Sequence, residues 1–203
     1  MRRTVPFIAA LTVALLAGCT ASDPDMPGLT ATPSAEPSAT TSPTPTPTPT
    51  GARDLSDPEL GIVFTDFPHD ADEQTAAAVE AYMLFEKEFW RALTTNVVAP
   101  GPWVGASDEA IAWIQAQVGP NSANGVRLGG TLRTTSALVS ADVDRVVLDV
   151  CRDVTETTVV HDDGTVDVGL APGEDPTSGA RLFLAPTSGD SWKVDTYELT
   201  GPC

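Results

Sequence analysis

The chain has 203 residues, with 28 acidic against 11 basic side chains, a formal net charge of −17 and a pI near 4.1. A nucleic-acid binder must neutralise phosphates with clustered Lys and Arg, so this balance excludes nucleic acid as a partner. Hydrophobic residues at 41% suffice for a packed core, while three cysteines and two histidines leave few groups for metal or redox chemistry.

The amino terminus opens with Arg2 and Arg3 and continues through an apolar run from Pro6 to Ala17. That run is too short to span a bilayer core of about 30 Å and reads as the h-region of a signal peptide over residues 1–18. It ends in Leu16-Ala17-Gly18-Cys19, which resembles the bacterial lipobox. The resemblance implies that the Cys19 thiol carries diacylglycerol after cleavage just before it, which would place the protein on the outer face of the cytoplasmic membrane. An ordinary secretory signal with a chance cysteine is the alternative.

Residues 19–53 are rich in Thr, Ser, Ala and Pro and culminate in alternating Pro-Thr from Pro43 to Thr50. Such a composition buries too little surface to repay ordering and predicts a disordered tether. With polyproline II spacing it would reach at most about 100 Å. A ligand for proline-reading domains or an O-glycosylated stalk has the same composition.

Residues 54–203 form one domain's worth of sequence. After a loop carrying Phe64 and Phe67, residues 71–96 have helical period, with Val79, Tyr82, Met83, Phe89, Trp90 and Leu93 on one stripe. Ser107-Asp108-Glu109 reads as an N-cap and acidic first turn of a second helix, which Gly119-Pro120 stops. From Val126 the period becomes two. Strands are predicted over 126–140, 143–152 and 157–160, with a bulge or bend at Gly129-Gly130 and a turn at Ala141-Asp142. His161-Asp162-Asp163-Gly164 forms a hairpin turn before Val166 and Val168, a loop covers 172–179, and strands follow over 181–184 and 192–199 around Ser188-Gly189-Asp190. Helices followed by sequential antiparallel strands give the α+β class.

Val150-Cys151-Arg152-Asp153 at a strand end, Asp163-Gly164 at a turn, Gly189-Asp190-Ser191-Trp192-Lys193-Val194 entering the last strand and Gly201-Pro202-Cys203 carry a resemblance over residues 70–203. The chain resembles actinobacterial-type lipoproteins with a nuclear-transport-factor-2-like domain. That resemblance implies a cone fold, in which amino-terminal helices pack on a strongly curved antiparallel meander sheet. Many such domains bind ligands or are structural; a minority, such as ketosteroid isomerases and polyketide cyclases, are enzymes.

With Cys19 assigned to the anchor, Cys151 and Cys203 remain as a pair in a disulfide-permissive compartment, which predicts a bridge. Two free thiols are the alternative, although no C-x-x-C is present and no histidine stands at ligand spacing. Nucleophile-elbow, zinc-helix, Walker and dinucleotide signatures are absent, and the acidic run 162–167 fails the calcium-loop register at Val159. No metal or cofactor is expected.

Glu86 lies inside the first helix's apolar stripe, where a carboxylate costs several kcal/mol unless paired or protonated. With Tyr82 one turn earlier and Trp90 beside it, Glu86 is a candidate pocket anchor, as an acid/base or a hydrogen-bonding group. The bland reading pairs it with a sheet arginine such as Arg127, Arg133 or Arg145, or has it snorkel to an edge. Tyr197, Asp149 and Asp195 are lesser candidates, and Trp90, Trp113 and Trp192 read as core. The expected function is a membrane-anchored extracytoplasmic lipoprotein displaying a binding domain for a small apolar ligand or an envelope protein. A small isomerase-like enzyme using Glu86, or an accessory subunit docking to a membrane complex, are the alternatives.

Overall fold

The computed structural model describes residues 51–99, 106–168, 173–189 and 191–203, all within the unit Thr46–Cys203. The expected signal peptide, Cys19 and the tether as far as Thr50 lie outside the described residues. Three residues expected in the tether are described as part of the domain. Ala52 packs against the core, and Arg53 pairs with Glu80 at 2.7 Å.

Among the described residues two helices and six strands follow in the order β1 (Ile62–Asp66), α1 (Glu73–Thr95), α2 (Asp108–Ala123), β2 (Val126–Asp142), β3 (Arg145–His161), β4 (Val166–Val168), β5 (Thr177–Pro186) and β6 (Trp192–Gly201). The α+β class is as expected. Asp72 caps α1 by accepting from the Thr75 amide, and Asn96 ends it in the left-handed region at φ 55°. The expected apolar stripe is the buried one, from Val79 through Leu93.

Ser107 caps α2 as predicted, and its hydroxyl also donates to the Asp195 carbonyl at 2.8 Å, which fixes the start of α2 to β6. The helix does not stop at Gly119-Pro120 but runs through Pro120 to Ala123. Proline's φ is itself helical, and on this exposed last turn the carbonyl it leaves unpaired costs little.

The sheet has the order β1-β2-β3-β5-β6, with β4 paired to β3 beside that path. Among the described residues the paired strands are antiparallel except β1 with β2, which makes the sheet mixed. Three sequence expectations are corrected here. The segment read as a loop around Phe64 is β1, whose Ile62 and Phe64 alternate into the core. A five-residue strand whose partner Leu132 lies far along the chain leaves no local pairing signal. The strands expected over 143–152 and 157–160 are one strand, β3, and the preceding turn falls at Val143-Asp144, because Asp142 still pairs with Arg145. β3 holds together because one edge is paired with β2 throughout, while the other is shared by β5 at its start and β4 at its end.

The expected irregularity at Gly129-Gly130 is present. Gly130 has φ +76°, and just beyond it the pairs Thr131↔Glu156 and Arg133↔Asp153 leave one extra residue on β3. A Cβ on Gly130 would lie 2.2 Å from the Glu156 carbonyl oxygen, so both conformation and space demand glycine. Gly130→Ala is expected to lower stability by roughly 1–3 kcal/mol in urea unfolding. Gly119→Ala, where a Cβ meets nothing within 4 Å on a helix, should be neutral or slightly stabilising.

Inward-facing Val146, Leu148 and Val150 of β3 and Ala180, Leu182 and Leu184 of β5 meet the stripe of α1 to form the core. The helices therefore cover one face of the sheet. The opposite face carries the polar alternates, such as Asp149 and Arg181.

Candidate functional site

Glu86 is fully buried, and its partner is an arginine of the sheet, as the bland reading required. The arginine is Arg152, however, rather than Arg127, Arg133 or Arg145. Arg133 pairs with Glu156, Arg145 lies 6.0 Å from the Phe183 ring, and Arg127 is exposed. Arg152 continues the inward series Val146, Leu148, Val150 on β3, which points its guanidinium at α1. Its Nε donates to Glu86 Oε2 at 2.9 Å, Nη2 donates to Oε1, and Nη1 donates to the Tyr197 hydroxyl oxygen of β6.

The fork geometry matches a carboxylate in two places at once, which is how a buried pair repays part of its lost hydration. Burial opposes the Arg152 charge, but the Glu86 carboxylate and Tyr197 outweigh it and hold the guanidinium above its already high ordinary pKa. Aromatic faces complete the enclosure. The guanidinium carbon lies 5.2 Å from the Phe89 ring centroid and 5.1 Å from that of Tyr197.

Tyr82 does not join this group. Its hydroxyl bonds Thr134 on β2, and burial together with the Glu86 charge pushes its pKa well above the ordinary value, so it stays neutral. Trp90 is core, as its period implied, with its indole N–H donating to the Leu60 carbonyl at 2.9 Å; one side of the ring also reaches the cleft described next. Asp149 lies on the outer sheet face, where two hydrogen bonds from Arg181 hold its carboxyl below the usual range, and Asp195 pairs with Lys193 at 3.5 Å.

Above Arg152 and Tyr197 opens a cleft of about 250 Å³ between α1, α2 and the sheet. Phe89 and Leu93 of α1, Trp113 of α2 and Leu128, Val154 and Leu199 of the strands give it apolar walls. Trp113, expected in the core, is only half-buried: it stacks on Tyr197 at 4.1 Å and 28° and lies 4.9 Å from Phe89. Glu86 does not line the cleft. A larger open groove of about 560 Å³ runs past Asp72 and Trp192, but its walls carry the helix cap and exposed polar groups rather than a buried charged cluster. Apolar walls converging on a few fixed polar groups make the smaller cleft the better candidate.

The Cys151–Cys203 disulfide is present, with a Cα–Cα distance of 5.9 Å. It crosses β5 on the outer face, because Cys151 faces Gly179 and Gly179 faces Gly201 in adjacent registers. A Cβ on Gly179 would meet Thr200 Oγ1 at 2.6 Å and Cys203 Cβ at 3.5 Å. The bridge thus ties β6, which carries Tyr197, to β3, which carries Arg152.

His161 closes the β3–β4 hairpin through Asp167 at 2.8 Å, and that hydrogen bond, with help from Asp163 and Asp162, raises its pKa above the ordinary 6.5. A raised folded-state pKa contributes stability below the unfolded value that is lost as pH rises through the folded value. The hairpin should therefore be firmer at pH 5 than at pH 8. Proton NMR titration should show the His161 pKa falling in Asp167→Asn.

No helix among the described residues is long and apolar enough to cross a membrane, and no group of metal-ligating side chains occurs among them. No family model matches the chain, and no curated protein matches it. A solved structure, the intermembrane space region of the chloroplast protein ARC6, aligns at a TM-score of 0.41 and 14% identity, over 64% of this chain and 98% of that one.

Proposed function

We propose that the chain is a lipid-anchored lipoprotein on the outer face of the cytoplasmic membrane, whose domain is a binding module taking a small apolar ligand in the cleft between helices and sheet. The observation that carries the binding reading is the cleft itself, with apolar walls over a floor of Arg152 and Tyr197. Binding is favoured over acid/base catalysis because Glu86 gives both carboxylate oxygens to Arg152 and has no face on the cleft. Two helices on one face of an antiparallel run from β2 to β6 support the cone-fold likeness.

Anchoring rests on Leu16-Ala17-Gly18-Cys19, since two or three acyl chains at ~0.8 kcal/mol per buried methylene hold firmly. Intact-mass analysis of membrane-extracted protein should give residues 19–203 plus a diacylglyceryl group, and Cys19→Ala should abolish that species. An unmodified chain in the soluble fraction would contradict the anchor.

A further inference from the structure

Within that reading of the cleft, we infer that it selects a neutral, ring-sized ligand presenting one hydrogen-bond acceptor, such as a carbonyl oxygen, to the Tyr197 hydroxyl. Three observations converge on that chemistry. Tyr197 uses its oxygen to accept from Arg152, and its own O–H proton has no acceptor among the described residues. Tyr197 lines the cleft beside Arg152, with its ring stacked on that of Trp113. A polar proton left without a partner in an apolar cleft favours a ligand that supplies one.

Charge sets the second condition. The guanidinium that would attract an anion already holds the Glu86 carboxylate in a two-point pair, so the floor is electrically balanced. A carboxylate ligand would enter a net −17 protein and find no unpaired cation among the residues lining the cleft, and a cationic ligand would find no carboxylate among them, since Glu86 does not line it. Size sets the third. About 250 Å³ admits roughly eight water volumes at ~30 Å³ each, which fits one ring with a short substituent or the end of a longer molecule.

Three probes of one skeleton test this: acetophenone, ethylbenzene and benzoate, titrated into the full chain at pH 7 while the indole N–H resonances are followed by NMR. Acetophenone should bind more tightly than ethylbenzene by about threefold to tenfold, the worth of one hydrogen bond, and benzoate should be weakest. Tyr197→Phe should remove most of the advantage of acetophenone over ethylbenzene, and an unshifted Trp113 indole resonance in the ligand-free variant would show that its cleft is intact. Benzoate binding most tightly would overturn the inference, as would acetophenone and ethylbenzene binding equally in both proteins; either result leaves the binding module standing. No response of Trp113 to any probe at millimolar concentration would overturn both the inference and the reading beneath it.

Discussion

Arg152→Met, with Glu86 retained, is expected to lower the free energy of unfolding by about 3–5 kcal/mol in equilibrium urea experiments. Methionine keeps much of the stem's length but leaves the fully buried Glu86 carboxylate with no counter-charge. Glu86→Leu combined with Arg152→Met should return stability to within about 1 kcal/mol of the wild type or exceed it, because replacing both members of a buried pair removes the desolvation cost with the attraction. A loss under 1 kcal/mol for the single variant would mean that Glu86 does not depend on Arg152.

Removal of the disulfide is the second large effect. Cys203→Ser should cost about 4 kcal/mol, since the bridge closes a loop with a sequence separation of 52. Gly179→Val should act on the same element, because its side chain would occupy the space that Thr200 Oγ1 and Cys203 Cβ take over β5. Free-thiol titration should find the bridge missing or incomplete in Gly179→Val. A variant that keeps full stability and a complete bridge would contradict the crossing.

The parts legible in the sequence were those written in local periodicity. The stripe of α1, the Ser107 cap and the alternation of β2 each follow from neighbours within a few residues; the first two form where expected, and the alternation is buried at Leu132, Thr134 and Ser136 but not at Leu138. Glu86 was legible as an anomaly for the same reason: a carboxylate among Met83, Phe89 and Trp90 stands out on a helical stripe. Its partner was not, because both faces of β3 offer apolar residues, with Val147 on one and Val146, Leu148 and Val150 on the other. Only the register settled that Arg152 points inward and Asp149 outward. The signal that does exist is that Arg152 extends the even-numbered apolar series by one step. β1 was hidden by its parallel pairing with a distant strand, and the unity of β3 by the stretch 153–156, which reads as a break but pairs with β2 at Asp153 and Glu156. Trp113 illustrates a further limit. Its place in the periodic pattern of α2 is shared by core and cleft residues, and only the stacking on Tyr197 separates the two.

The binding reading is tested most directly by native mass spectrometry of the protein taken from its own membrane, comparing the wild type with Val154→Trp, which fills the cleft. The wild type should carry a stoichiometric small molecule of neutral charge, and Val154→Trp, folded by its circular dichroism, should carry none. The same bound mass on both proteins, or none on either, would contradict the cleft as the functional site.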